Sequence, residues 1–231
     1  MNKVMKTIYL SLIISALALG ATAQNLWLGA EGQRFYDELL NRKMVKGEEA
    51  TYEGSPYMND EFNEATLVSS EGQKFIQVPL RYNVYYDLFE VEMEDAVYNL
   101  NRGSVVAEVE IEGHRFIFSE YEYQSSRGEG YLEVLIEGPW SLYKQHQVVF
   151  REAEPAQPYQ EAEPASFEEK DPLFYVSHGD GLPVFIRNRR GLLELAGNKE
   201  KELNNFLKDN KIRLRDEPEM IKAVEFLNAM E

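Results

Sequence analysis

The chain has 231 residues, with 40 acidic against 24 basic side chains and a formal net charge of −16. Such a surface repels phosphate backbones and anionic lipid, which argues against nucleic acid as a partner and is compatible with calcium or a basic partner. With no cysteine, the chain has no disulfide framework, no thiol chemistry, no cysteine metal site and no cysteine-linked lipid anchor, so its core alone must hold it.

Residues 1–23 have the three parts of a secretory signal. Lys3 and Lys6 precede a run over 8–19 that is apolar apart from Tyr9, Ser11 and Ser15, and Ala21-Thr22-Ala23 supplies the small residues of a cleavage site. The apolar run is shorter than the roughly 20 residues that span a bilayer. Cleavage before Gln24 would remove two lysines and take the net charge to −18. The expected product is a single domain over 24–231, exported to the periplasm or to the cell surface and beyond, with no transmembrane segment.

Residues 31–45 read as a short amphipathic helix. Phe35, Leu39 and Leu40 share a face, and Gly47 is the stop. Gly54-Ser55-Pro56-Tyr57 is a turn. From 61 to 187 the pattern is β. Segments 75–80, 84–93, 105–111, 115–123, 131–136 and 142–150 alternate or run apolar between turn-formers such as Glu112-Gly113 and Arg127-Gly128-Glu129-Gly130. A slip in the alternation at Leu88-Phe89 suggests a bulge. Short strands with frequent turns predict consecutive antiparallel hairpins, nine or ten strands in all. Residues 151–171, with EAEPA at 152–156 and again at 161–165, read as an acidic, proline-rich exposed loop. Segments 173–176 and 183–186 form a last hairpin around His178-Gly179-Asp180-Gly181. Helical pattern then occupies about 192–230. Leu192 to Leu195 makes one turn closed by Gly197. Asn198 caps a helix presenting Leu203, Phe206 and Leu207. Asp216 opens a capping box with Glu219, and the helix after it shows Met220, Val224 and Leu227 on one stripe.

No catalytic, cofactor-binding or metal motif stands out. His114, His146 and His178 fall in different elements without the spacing that places two ligands on one helix face. The adjacent Ser177, His178 and Asp180 form a turn, because triad side chains must converge from different directions. Glu90, Glu92 and Glu94, like Glu108, Glu110 and Glu112, alternate with apolar residues as the solvated face of a strand does. Arg187, Arg189 and Arg190 concentrate positive charge, either as an anion or partner patch or as ion pairs with the chain's own acids. Arg81 enters an apolar hairpin next to Tyr82 and Asn83. These three form either a binding site or a structural hairpin in which Arg81 pairs across strands with Glu90 or Asp87.

Several segments resemble an uncharacterised family of exported proteins common in Bacteroidota. They are Gly54-Ser55-Pro56-Tyr57 with Asp60-Glu61-Phe62, the stretch from Val78-Pro79-Leu80-Arg81-Tyr82-Asn83 to Asp87, Tyr131-Leu132-Glu133-Val134-Leu135 with Gly138 and Leu142-Tyr143, Pro158-Tyr159, and the lysine-rich helix over 198–211. The resemblance covers nearly the whole mature chain. It implies an exported location and one intact domain, and no mechanism.

The expected fold is mainly β (α+β): an antiparallel meander forming a curved sheet or partly open barrel, with an N-terminal helix and two C-terminal helices packed on it. The expected function is a non-enzymatic binding or interaction protein of the cell envelope, without cofactor, whose partner is another envelope protein or an apolar ligand. A carrier of lipid or another apolar ligand is the alternative, and a secreted hydrolase is third. An exposed apolar patch, a deep apolar cavity, or carboxylates and histidines converging in a cleft would favour these in turn.

Overall fold

A computed structural model of the chain describes residues 40–43, 52–93, 96–100, 106–156 and 162–231. The export signal over 1–23 and residues 31–39 and 44–45 of the expected N-terminal helix lie outside them. Residues 40–43, at the end of that expected helix, form a strand instead, β1 (Leu40–Lys43). It pairs antiparallel with β5 (Ala96–Leu100) and so occupies the backbone groups of an otherwise open sheet edge.

The mainly β architecture is as expected. The other strands are β2 (Asn63–Ser69), β3 (Lys74–Asn83), β4 (Leu88–Met93), β6 (Val106–Ile111), β7 (His114–Tyr123), β8 (Ser126–Ile136), β9 (Trp140–Arg151), β10 (Ser166–His178) and β11 (Val184–Phe185). They form one sheet in the order β1-β5-β4-β3-β2-β6-β7-β11-β10-β9-β8, with β7 also paired to β8. Strands β7, β8, β9, β10 and β11 thereby close a ring, a partly open barrel from which the other six extend as a curved sheet. All pairings are antiparallel except β7 with β11, which meet in parallel at Glu122 and Val184. The hairpins β6–β7 and β7–β8 turn through Glu112-Gly113 and Gln124-Ser125, all four at positive φ, as the favoured two-residue hairpin turns require.

Three local expectations change. The pattern over 84–93 is not one bulged strand: 84–87 is the turn between β3 and β4, which explains the slip at Leu88. Residues 166–171 belong to β10, because Phe167 packs on Tyr52, Tyr85 and Phe150. In the connection that remains, the two EAEPA repeats continue the hairpin through mutual backbone bonds of Glu154 and Glu163, each 2.9 Å. Glu90 does not face water. It is fully buried, since Arg81, Tyr57 and Asn83 roof that face of the central strand β4.

Three helices follow the strands: α1 (Arg189–Ala196), α2 (Glu200–Asp209) and α3 (Glu217–Ala229). The apolar turn at Leu192 is thus part of a two-turn helix capped by Asn188. Asn198 does not cap α2; it sits in a 3-10 turn, and Lys199 precedes α2 without a side-chain cap bond. Asp216 caps α3 by accepting from the Glu219 amide at 3.0 Å. Met220, Ala223, Val224 and Leu227 of α3 are buried with Leu203 and Leu207 of α2, Leu192 of α1, and Trp140, Leu142, Phe174 and Val176 of the ring. A second core lies within the sheet, where Tyr82, Phe89, Phe116 and Tyr131 form a knot of rings with centroids 4.7–6.1 Å apart. Among the described residues no helix is long and apolar enough to cross a membrane.

Candidate functional site

The register of β7, β8 and β9 builds the site. Glu133 of β8 lies opposite Phe116 on β7 and opposite Lys144 on β9. Its same-face diagonal neighbours are then His114 and His146, two residues along each strand. All three polar neighbours reach it. His114 Nδ1 is 2.6 Å from Oε1, while His146 Nε2 and Lys144 Nζ are 2.7 and 2.9 Å from Oε2. Lys144 also bridges to Glu217 at the start of α3, at 2.8 Å.

Burial opposes the charge on Glu133, but the bonds from His146, His114 and Lys144 outweigh it and hold the carboxyl down at about 2. An ionised carboxylate only accepts, so His114 Nδ1 and His146 Nε2 carry their protons. The opposite ring nitrogens are left as acceptors when the rings are neutral. Lys144 is half-buried, and Glu217 and Glu133 overcome that burial to raise its pKa above the ordinary lysine value.

Both histidines line a cleft of about 640 Å³ between the β9–β10 hairpin and the segment 54–59. The far wall holds Tyr57. Burial, then the charge of Glu90, pushes its hydroxyl up to about 12, so it remains a neutral phenol. Arg81 Nη2 donates to the Tyr57 oxygen at 2.8 Å and stacks over its ring at 3.8 Å. Arg81 pairs with buried Glu90 at 2.7 Å. Two buried carboxylates, Glu133 and Glu90, thus stand behind the polar groups of opposite walls. The segment 52–54 is seated tightly on β10: a Cβ at Gly54 would come within 2.2 Å of the Phe167 carbonyl oxygen.

At the mouth of the cleft, rings from three elements meet. Tyr52 contacts Phe167 at 4.9 Å, Phe167 contacts Tyr85 at 5.2 Å and Phe150 at 4.9 Å, and Tyr85 contacts Tyr86 at 4.8 Å. Tyr52, Tyr85, Tyr86 and Phe150 are 38–59% exposed, and Val149, on the other face of β9, is 41% exposed.

The residues singled out in the sequence fall differently. Arg81 makes the cross-strand pair with Glu90. Tyr82 is buried, donating to Asp87 Oδ1 at 2.6 Å, and Asn83 donates to Glu90 at 3.2 Å. All three touch the cleft walls: Arg81 through Tyr57, Tyr82 through the His146 ring and the Met58 amide, and Asn83 through its bridge to Tyr57. The arginines near α1 differ in their surroundings. Arg189 donates to the backbone and side-chain oxygens of Asn204, tying α1 to α2. Arg190 pairs with Glu194 one turn on, and Arg187 is exposed. His178 stacks on Trp140 at 4.1 Å, away from the cleft. The convergence on Glu133 was missed in the sequence, although a signal was present: a lone acid inside the apolar strand Tyr131-Leu132-Glu133-Val134-Leu135. Among the described residues, no group of three or more histidine or acidic side chains could hold a metal ion.

Comparison of the chain with protein-family models, with curated proteins and with solved structures finds no match.

Proposed function

We propose that this is an exported, non-enzymatic interaction protein that docks a partner of the cell envelope on the aromatic patch at the mouth of the cleft. One observation carries the reading: Tyr52, Tyr85, Tyr86, Phe150 and Phe167 form a continuous ring cluster, four of whose rings are 38–59% exposed, on a chain otherwise dense in charge. Contiguous exposed aromatics with polar neighbours are typical of docking surfaces. An apolar cargo fits the cleft poorly, since it would have to desolvate Glu112, Glu169, His114 and His146 in the walls.

The test is recovery of the tagged protein from its native envelope, in wild type and in a Tyr85→Ala, Tyr86→Ala double variant. The expected result is loss of the specific co-purifying partner with the thermal midpoint nearly unchanged. Unchanged recovery overturns the proposal. Export is checked separately, by mass spectrometry of the mature N-terminus, expected at or near Gln24.

A second reading, a hydrolase, has one observation in its favour. Glu133 holds two imidazoles at the cleft with their outer nitrogens left to accept a proton, as a general base requires. Hydrolysis of a simple aryl ester at the same rate by wild type, His114→Ala and His146→Ala removes it.

A further inference from the structure

Resting on the docking reading above, we infer that the partner is engaged as an extended basic peptide segment, added as a strand to the outer edge of β9 from His146 to Arg151. Strand β9 is paired with β10 from Trp140 to Arg151, with a register shift at His146. Its other side is paired with β8 only through Lys144. Beyond that point, among the described residues, no strand pairs with the outer side of β9.

The edge is held open by specific groups. If the β8–β9 ladder continued, Tyr131 would lie opposite His146. Instead the Tyr131 amide donates to the carboxylate of Asp87, at 3.2 and 3.3 Å to its two oxygens. Asp87 sits in the β3–β4 turn at φ 51°, and it occupies the donor on β8 that β9 would otherwise use. Gly130 makes room for it: a Cβ there would come within 2.5 Å of Asp87 Oδ2 and 3.5 Å of Gln145 Nε2. On the β9 side of the fork, Gln145 bonds Tyr121 and Tyr175, and His146 bonds Glu133. The two strands therefore part after Lys144, and among the described residues the outer side of β9 beyond it has no strand partner.

Proteins blunt such edges with proline, lysine, bulges or a covering segment. The edge sequence His-Gln-Val-Val-Phe-Arg has neither proline nor lysine, and it exposes Val149 and Phe150 by 41% and 40%. An added strand would satisfy the backbone and lay alternate side chains on the aromatic patch, which is the strand-addition mode of peptide recognition.

Charge selects the partner. The neighbouring strand places Glu169 opposite Val148 and Glu168 opposite Val149. Glu154 and Glu163 pair just beyond the strand ends, and Glu53 lies against Ser166. Arg151 and Lys170, the arginine and lysine of this hairpin beyond Lys144, are already held by Glu163 and Glu168. A second copy of the chain would bring the same acids against them, whereas a lysine- or arginine-bearing segment would neutralise them.

The test uses the mature chain and short synthetic peptides: alternating Lys and Val, alternating Glu and Val, and the Lys/Val peptide with alternate amides N-methylated. The readouts are binding by fluorescence anisotropy and amide hydrogen exchange at 146–151. The Lys/Val peptide is expected to bind, to slow exchange of these amides about tenfold or more, and to weaken as salt rises. The N-methylated and Glu/Val peptides are expected to do neither. Val149→Lys is expected to abolish the protection without changing the thermal midpoint. Absence of Lys/Val binding overturns the inference. Equal binding of the N-methylated peptide overturns strand addition but leaves the docking patch standing. Equal binding of the Glu/Val peptide overturns the basic partner. Concentration-dependent dimerisation of the free chain, lost in Val149→Lys, replaces the peptide by a second copy. Failure of the docking reading looks different: the Lys/Val peptide still binds and protects the edge, while Tyr85→Ala, Tyr86→Ala leaves envelope recovery unchanged.

Discussion

The β9–β10 hairpin is one element with two fates. Its closed half, Trp140 to Lys144 with Leu173 to His178, lies in the ring under the helices. Asn228 of α3 accepts from the Trp140 amide and donates to its carbonyl, both at 2.8 Å, and Leu142 is fully buried. Its open half, Gln145 to Arg151 with Ser166 to Lys170, also carries apolar residues, Val148 to Phe150 and Phe167, yet Phe150 stays 40% exposed. Both halves belong to one antiparallel ladder. The difference is that, among the described residues, the helices cover the first, whereas the second meets the segment 52–59 and the β3–β4 turn, through contacts such as Tyr52 on Phe167 and Tyr85 on Phe150. Apolar surface left over in this way is where a partner has something to gain, which is why the functional reading rests on the open half.

The contrast breaks most visibly if the cover is damaged. Leu227→Asp places a charge in the buried stripe of α3, where no partner awaits it. The expected cost is about 4 kcal/mol or more, seen as aggregation or a lost thermal transition, and truncation before Asp216 is expected to do the same. A well-folded truncated protein would mean that the helices are detachable and that the two halves are alike.

Tyr82→Ala tests the sheet core beneath the open half. The ring is 2% exposed and stacks on Phe89 at 4.7 Å, so about 3–4 kcal/mol should be lost, read as a lower urea midpoint.

The same reasoning separates two positions on one strand. Leu142→Ala is expected to cost about 2–5 kcal/mol and Phe150→Ala about 1 kcal/mol. Equal losses by chemical denaturation would show that the open half is as well packed as the closed one.

Glu133 joins the halves, and acid titrates the joint. Its folded carboxyl sits at about 2, below the ordinary 4.5. A depressed carboxyl stabilises the fold above its unfolded pKa, and that contribution disappears as the pH falls from about 4.5 to 2. At roughly 1.4 kcal/mol per pKa unit, about 3 kcal/mol depends on this one group. Glu133→Gln should lower stability at neutral pH and flatten the acid limb between these values. The measurement is unfolding free energy against pH, and an unchanged acid limb would remove Glu133 as the joint. The smallest effect belongs to Tyr86→Ala, within about 0.5 kcal/mol in stability while partner recovery is lost.

Much of the local structure was legible. Alternation marked most of the strands, and Asp216 with Glu219 marked the start of α3, because caps and hairpin turns depend on a few neighbouring residues. The carboxylates at the site were not. Glu90 and Glu108 alternate with apolar neighbours in the same way, yet Glu90 is 0% exposed, while Glu108 is half-buried and paired with Arg115. Only strand order tells them apart, since β4 lies between β3 and β5 with Arg81 and Tyr57 above it. Of the arginines near α1, two have partners that their closeness in sequence does not reveal, Asn204 for Arg189 and Glu194 for Arg190.

By itself, the sequence determined that the chain builds antiparallel hairpins and ends in amphipathic helices, because those outcomes follow from period, turn residues and caps acting over a few positions. The tertiary structure decided the rest: that β8 and β9 part at Glu133, that His114 and His146 meet there, that the ring closes through β11, and that the helices cover one half of a hairpin and leave the other bare. Each of these depends on register between strands far apart in the chain. A pattern of period two records which residues share a face, but not which strand lies beside them or what is packed above.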